Sequence, residues 1–243
     1  MTFLKDIIGS LMFITRMPIG FLGVKPDDAR RAVIHFPLAG YFAFVFWFIA
    51  FQSASLIFAR SFVPICLSVA VVYYFFNLFH FDGFLDSIDG LLSQKPKEEA
   101  LRIMKLGNIG PMAFFFGFIY MYMKVYLAAN TDVFAFLMVF VIARWGMSFS
   151  AMISKPASDT GLGSLVAFGK PLYFVLSTIY IVPLFVLYKP GIAGILAGAV
   201  LVADFVITKA IEKRIGGLTG DNFGLINEVN ELLLLLILFG VKK

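Results

Sequence analysis

Long uninterrupted apolar runs leave this chain few folds. Stretches at about 32–59, 61–81, 109–129, 132–153, 171–188, 191–207 and 225–241 each reach or approach the ~20 residues that a helix needs to cross a ~30 Å hydrocarbon layer. Inside hydrocarbon every backbone N–H and C=O must be paired within its own segment, so such runs fold as helices. The expectation is an all-α, polytopic transmembrane helical bundle of about seven spans, forming one integral-membrane domain over residues 1–243. Composition agrees: 60% of residues are hydrophobic and 14% are charged, against about 25% charged in an average soluble domain. The one cysteine, Cys66, excludes an intramolecular disulfide and any cysteine-based metal site.

Ahead of the first run, Phe3/Leu4, Ile7/Ile8 and Leu11/Met12 recur at helical spacing. They predict an N-terminal helix lying in the membrane interface and stopping at Pro18. Asp6 and Arg16 interrupt this segment and no small-residue cleavage site follows, so it does not read as a cleavable signal peptide. In the sixth run, Gly194 and Gly198 have the small-xxx-small spacing that permits close helix contact.

Basic residues divide unequally between the two sides. Lys5, Arg16, Lys25, Arg30, Arg31, Lys95, Lys97, Arg102, Lys105, Lys155, Lys170, Lys209, Lys213 and Arg214 belong to one set of connections; Arg60, Lys189, Lys242 and Lys243 belong to the other. The richer set is predicted to be cytoplasmic. The net charge of +5 is read as orientation in a lipid bilayer and not as nucleic-acid binding.

The sharpest chemical signal is HFDGFLDSIDG, residues 80–90. At about 100° per residue, Asp82, Asp86 and Asp89 share a narrow helical arc. Three carboxylates on one face at a membrane edge repel one another. The usual remedy is a hard divalent cation held through oxygen, with phosphate completing its shell. The residues up to 108 read as helical in two parts, broken near 94–96.

A second acidic group lies in GLTGDNFGLINEVNE, residues 217–231. Asp221, Glu228 and Glu231 share one broad helix face, and Gly220 and Gly224 permit close approach to a ligand. Glu228 and Glu231 open the last apolar run, where an acid is by default a functional hypothesis. The bland alternative is that they snorkel to the headgroups or pair with Lys213 and Arg214.

His80, on the other side of the helix from the three Asp, is open to phosphate binding, proton transfer or burial against a neighbour. Arg144 should face the bundle interior and pair with an acid or a substrate phosphate; Lys124 pairs there or snorkels. Arg16 and Arg31 suit phosphates or anchoring. Asp159, beside Gly161 and Gly163, is a weaker candidate. Gly163, Gly169 and Lys170 do not make a phosphate loop, since Pro171 stands where Ser or Thr is required. These residues together describe a Mg²⁺-dependent membrane transferase acting on a phosphoanhydride or phosphodiester.

Six elements, in order, resemble the cobalamin synthase (adenosylcobinamide-GDP ribazoletransferase) family. FITRMP (13–18) resembles its F-x-T-R-[IL]-P, and RRAVIHFPLAG (30–40) its R-x4-F-P-L-x-G. HFDGFLDSIDG is similar to H-[LF]-D-G-x2-D-x2-D-G, the most specific element. LRIMKLGNIG (101–110) resembles E-I-M-[RK]-D-x-x-[IL]-G, and GLGSLV a later G-L-G. GGLTGDNFGLINEVNE resembles G-G-x-T-G-D-x-L-G-A-x2-E-x3-E.

The resemblance implies that α-ribazole, or its 5′-phosphate, is joined to adenosylcobinamide-GDP with release of GMP. The implied site lies on the cytoplasmic side of the prokaryotic inner membrane, and Mg²⁺ is the implied cofactor. On that footing Asp82, Asp86 and Asp89 bind Mg²⁺ on the diphosphate, with one of them or His80 taking the nucleophile's proton. Asp221, Glu228 and Glu231 hold a second metal or orient ribazole. Arg16, Arg31 and Arg144, with Gly83, Gly220 and Gly224, contact substrate. The corrin, too large to enclose, rests on an opening. Leu106 stands where the family usually has Asp, and Asn108 also departs, so neither is assigned to the site.

Two other classes compete. A CDP-alcohol phosphotransferase-like enzyme needs A-R after its D-G and wider Asp spacing. A cation-coupled transporter needs acids near the midplane and inverted repeats. A homo-oligomer is left open.

Overall fold

The computed structural model describes residues 2–22, 31–59, 61–158, 162–166, 168–188 and 190–241. Lys25, Arg30, Arg60, Asp159, Gly161, Lys189, Lys242 and Lys243 lie outside them. The described residues form a helical bundle without named strands; one isolated bridge joins Pro156 to Leu218.

Helix α1 (Thr2–Ile14) ends before Pro18, as its pattern predicts, and packs on α2 (Ala32–Ile57). Next, α3 (Val63–Val72), a π turn (Tyr73–Asn77) and α4 (Leu78–Leu92) run on as one helix of 30 residues. The second span therefore does not stop at Phe81: the Asp cluster belongs to the same rod, because no proline or cap interrupts 73–92. The chain breaks at 93–96, where Gln94 has φ 56°. Pro96 then precedes α5 (Lys97–Met104), whose first turn carries Glu98 and Glu99. Acids there complement the positive end of the helix.

Helices α6 (Pro111–Ala129) and α7 (Ala135–Ile153) follow as a hairpin. The expected fifth span is two short helices, α8 (Pro171–Thr178) and α9 (Val182–Leu187). Pro183, which has no N–H to donate, sits at the start of the second. Helices α10 (Pro190–Ile215) and α11 (Gly220–Val241) complete the chain. By length and composition, 6 of the helices can cross a membrane, with Pro171–Leu187 as a shorter apolar stretch.

Helix α7 is the axis, buried on nearly every side and packed on α2, α10 and α11. It meets α2 at Gly40, where a Cβ would fall 2.5 Å from the Phe140 carbonyl oxygen. Gly194 and Gly198 make no such contact: nothing lies within 4 Å of a Cβ at Gly198. The small-residue spacing in α10 is thus not a helix interface here. On the outside, Phe114, Phe118, Leu56 and Val186 are exposed. An apolar surface of this kind suits hydrocarbon and not water.

Candidate active site

Helices α4 and α11 cross in backbone contact. A Cβ on Gly83 would fall 2.7 Å from the Asp221 carbonyl oxygen, and a Cβ on Gly224 would fall 2.5 Å from that of His80. Gly83 and Gly224 were expected to touch substrate. Both are buried, and their missing side chains make room for a neighbouring helix. The close crossing brings the first acidic group to the start of the second.

Beside it lies a cavity of about 600 Å³. Phe79, His80 and Asp82 line it from α4, and Leu218, Thr219, Gly220, Asp221 and Phe223 from α11 and its approach. Met12, Phe13 and Ile14 come from the end of α1, Leu101, Met104 and Lys105 from α5 and its C-cap, and Met147 from α7. Ser158, Gly163 and Ser164 close it from the connection after α7. Gly163 is tightly placed, since its Cβ would meet the Gly220 amide nitrogen at 2.7 Å.

Asp82 is exposed and Asp221 half-buried. Neither forms an ion pair among the described residues. Asp82, Asp86 and Asp221 are within electrostatic reach of one another, and Lys105 is within reach of Asp221. His80 is buried, and neither ring nitrogen has a hydrogen-bond partner among the described residues.

Asp89 is differently employed. Its carboxylate accepts hydrogen bonds from the amides of Gly110 (2.6 Å) and Ala113 (2.9 Å), capping the first turn of α6 from another helix. Gly110 leaves room for it, because a Cβ there would lie 2.7 Å from an Asp89 oxygen.

Glu228 and Glu231 do not line the cavity. Both are fully buried in a polar network at the centre of the bundle. Lys124 Nζ donates to Glu228 (2.9 Å) and Glu231 (2.7 Å), and Arg144 pairs with Glu231 at 3.1 Å. Tyr73 donates to Glu228 (2.6 Å), as does Tyr120. Asn77 donates to both acids (2.8 and 3.0 Å) and accepts from Arg144 (2.7 Å). Tyr73 and Asn77 are the first and last residues of the π turn, so that turn presents both side chains to α11. Two acids are met by two cations, which leaves neither carboxylate free for a metal shell. The partners are Lys124 and Arg144, not Lys213 and Arg214. Arg144 is buried against Glu231 and does not line the cavity.

The other expected phosphate ligands also lie elsewhere. Arg16 stacks over Tyr74 (5.2 Å) and Phe79 (5.8 Å). Arg31 stands 4.0 Å from Asp6, beside a second cavity of about 750 Å³ that also touches His35 and Tyr180. Lys105 is the basic side chain that does line the main cavity, and the sequence reading used it only for membrane orientation. Its signal was the [RK] position of the 101–110 element.

The donor chemistry fits a magnesium ion of one kind only. Among the described residues, no three Asp, Glu or His side chains are gathered closely enough to hold a metal by themselves. Mg²⁺ is usually held by one or two carboxylates, with substrate phosphate and water completing its octahedron. Asp82 and Asp221, with Asp86 behind them, offer that partial shell.

Comparison with known proteins identifies the family. The cobalamin-5-phosphate synthase family matches residues 6–239. An adenosylcobinamide-GDP ribazoletransferase of Thermosipho africanus is 35% identical, over 91% of this chain and 92% of that protein. The protein of the same name from Fervidobacterium nodosum is 34% identical over 97% of each chain. No solved structure matches. Matched over nearly its whole length, this chain belongs to the cobalamin-5-phosphate synthase family.

Proposed function

We propose that the protein is an adenosylcobinamide-GDP ribazoletransferase working in the cavity between α4 and α11. The observation that carries this reading is the convergence of Asp82 and Asp221, from the two most specific family elements, on one cavity with His80 and Lys105. In the reaction, a free ribose hydroxyl of α-ribazole (or of its 5′-phosphate) gives up its proton and its oxygen bonds to the phosphorus that carries cobinamide. The bond from that phosphorus to the bridging oxygen breaks, and GMP leaves with the oxygen.

Asp82 and Asp221 would hold Mg²⁺ together with the diphosphate, and the ion would neutralise charge on the transferring phosphoryl group. Lys105 adds a positive charge beside the same oxygens. His80, whose ring nitrogens have no partner among the described residues, lines the cavity and would accept the proton released by the attacking hydroxyl. The buried network of Lys124, Arg144, Glu228 and Glu231 ties α6, α7 and α11 to the π turn that leads into α4, and it does not line the cavity. Lys105 lines the cavity and the Lys155 carbonyl accepts from the amide of Leu218, which lines it too; basic residues beside the cavity support a cytoplasm-facing site in the inner membrane.

The test is turnover by the detergent-purified protein given adenosylcobinamide-GDP, α-ribazole and Mg²⁺. Adenosylcobalamin and GMP should form together and cease on chelation. GMP release without adenosylcobalamin would mean hydrolysis instead of transfer, and would sink the reading.

A further inference from the structure

Resting on that reading, we propose that the cavity seats the base of α-ribazole, and that its methionine and phenylalanine walls set which bases are accepted. The first argument is size. A cavity of about 600 Å³ falls within the ~300–1,000 Å³ that encloses one small organic ligand. The nucleoside fits that volume; a corrin with its amide side chains, adenosyl ligand and GDP arm does not.

The second argument is the wall. Met12, Phe13, Phe79, Met104, Met147 and Phe223 all line the cavity. Methionine sulfur packs well against aromatic ring edges, and its unbranched chain adapts to the shape of a ligand. Part of the wall is firmly held: Phe13 stacks on Phe36 (5.8 Å), and Phe223 packs edge-on against Phe36 (6.2 Å) and beside Phe168 (5.8 Å). Aromatic pairs in such offset or edge-on arrangements are favourable.

The third argument separates the two bases in the reaction. Dimethylbenzimidazole, once joined to ribose, has no N–H group and one ring nitrogen that accepts. It can lie among Met and Phe without stranding a donor. Guanine carries an N1–H and an amino group along one edge, and such groups are costly to bury against sulfur and hydrocarbon. The ribose hydroxyls of ribazole are then left to the polar lining, where Asp82, His80, Asp221 and Lys105 stand. Against the methionine and phenylalanine part of the lining, selection among bases is by shape, while Ser158, Ser164 and Thr219 lie on the rest of the wall.

Met12, half-buried at the end of α1, is the side chain to alter. Using the full chain in detergent, binding of α-ribazole is followed through the benzimidazole fluorescence, and KM is measured for each substrate separately. Met12→Trp narrows the cavity and should raise both Kd and KM for α-ribazole about tenfold or more. The KM for adenosylcobinamide-GDP should change by less than about threefold, and kcat should be largely kept. Leu101→Phe, from α5, makes the same test if the first variant does not fold. A rise confined to adenosylcobinamide-GDP would place the guanine nucleotide in the cavity and overturn the proposal. So would unchanged constants for both substrates. Wild-type protein that forms no adenosylcobalamin would count against the assigned reaction instead, and the fluorescence titration would still decide whether the base binds here.

Discussion

Gly83 of α4 and Asp221 of α11 are in backbone contact, close enough that a Cβ on Gly83 would lie 2.7 Å from the Asp221 carbonyl oxygen and 2.8 Å from its Cα. Gly224 returns the relationship one turn further along α11, against His80. Each helix thus supplies one glycine to the crossing. The outcome is that Asp82 and Asp221, 139 positions apart by their numbers, open on one cavity.

Gly83→Ala should therefore damage both fold and chemistry. The added methyl meets backbone, which cannot swing aside, and overpacking of this kind costs about 1–3 kcal/mol. Moving the two carboxylates apart by a fraction of an ångström to an ångström should lower turnover by about tenfold to a hundredfold. Gly198→Ala, with nothing within 4 Å, is the control and should leave both unchanged. Thermal unfolding in detergent and product formation, measured side by side, check this.

Removing one member of the buried charge network should be among the most destabilising polar changes. Glu231 accepts from both Lys124 and Arg144. Glu231→Gln leaves a surplus cation in a dry interior, a loss of about 3–5 kcal/mol. The double variant Glu228→Gln with Lys124→Met keeps the charge balanced and should lose less than the sum of its parts. A double-mutant cycle on unfolding temperature gives the coupling.

Asp204 offers the contrast. It is buried on α10, beside Gly146 of α7, and forms no ion pair among the described residues. Asp204→Asn keeps the shape and replaces a buried carboxyl that has no cation to answer it among the described residues. Its unfolding temperature should equal or exceed that of the wild type, whereas Glu231→Gln should fall well below it.

Asp89 should prove to be a cap. Asp89→Ala frees the amides of Gly110 and Ala113 and should cost about 1 kcal/mol, within the ~0.5–2 range for lost caps. Turnover at saturating Mg²⁺ should stay within about threefold of wild type, because the carboxylate is already occupied by backbone N–H groups. A rise of tenfold or more in the Mg²⁺ concentration needed for half-activity would make Asp89 a metal ligand after all.

Periodicity made the helices and the first acidic arc legible, because a run of apolar residues and a spacing of i, i+4, i+7 are local facts. The division of labour among the acids was not legible. Asp82 and Asp89 sit on the same arc, yet one opens on a cavity and the other caps α6, which depends on where residue 110 arrives in space. Glu228 and Glu231 looked like partners of Asp221 because they share its helix face. Their true partners, Lys124 and Arg144, come from α6 and α7, and only packing brings them there. The helix runs on through residue 81 because the change there is from apolar to acidic residues and not a proline or a cap, so the end of the apolar run is not the end of the helix.

The central claim is that phosphoryl transfer takes place where Asp82 and Asp221 meet. Its most direct test is adenosylcobalamin formation by purified wild type, Asp82→Asn, Asp221→Asn and Asp89→Asn under identical Mg²⁺ and substrate. The account predicts losses of about a hundredfold or more for the first two variants, the size seen when an electrostatic contact to a developing charge is removed, with near-normal turnover for the third. Full activity in either Asp82→Asn or Asp221→Asn, with the protein folded, would contradict it.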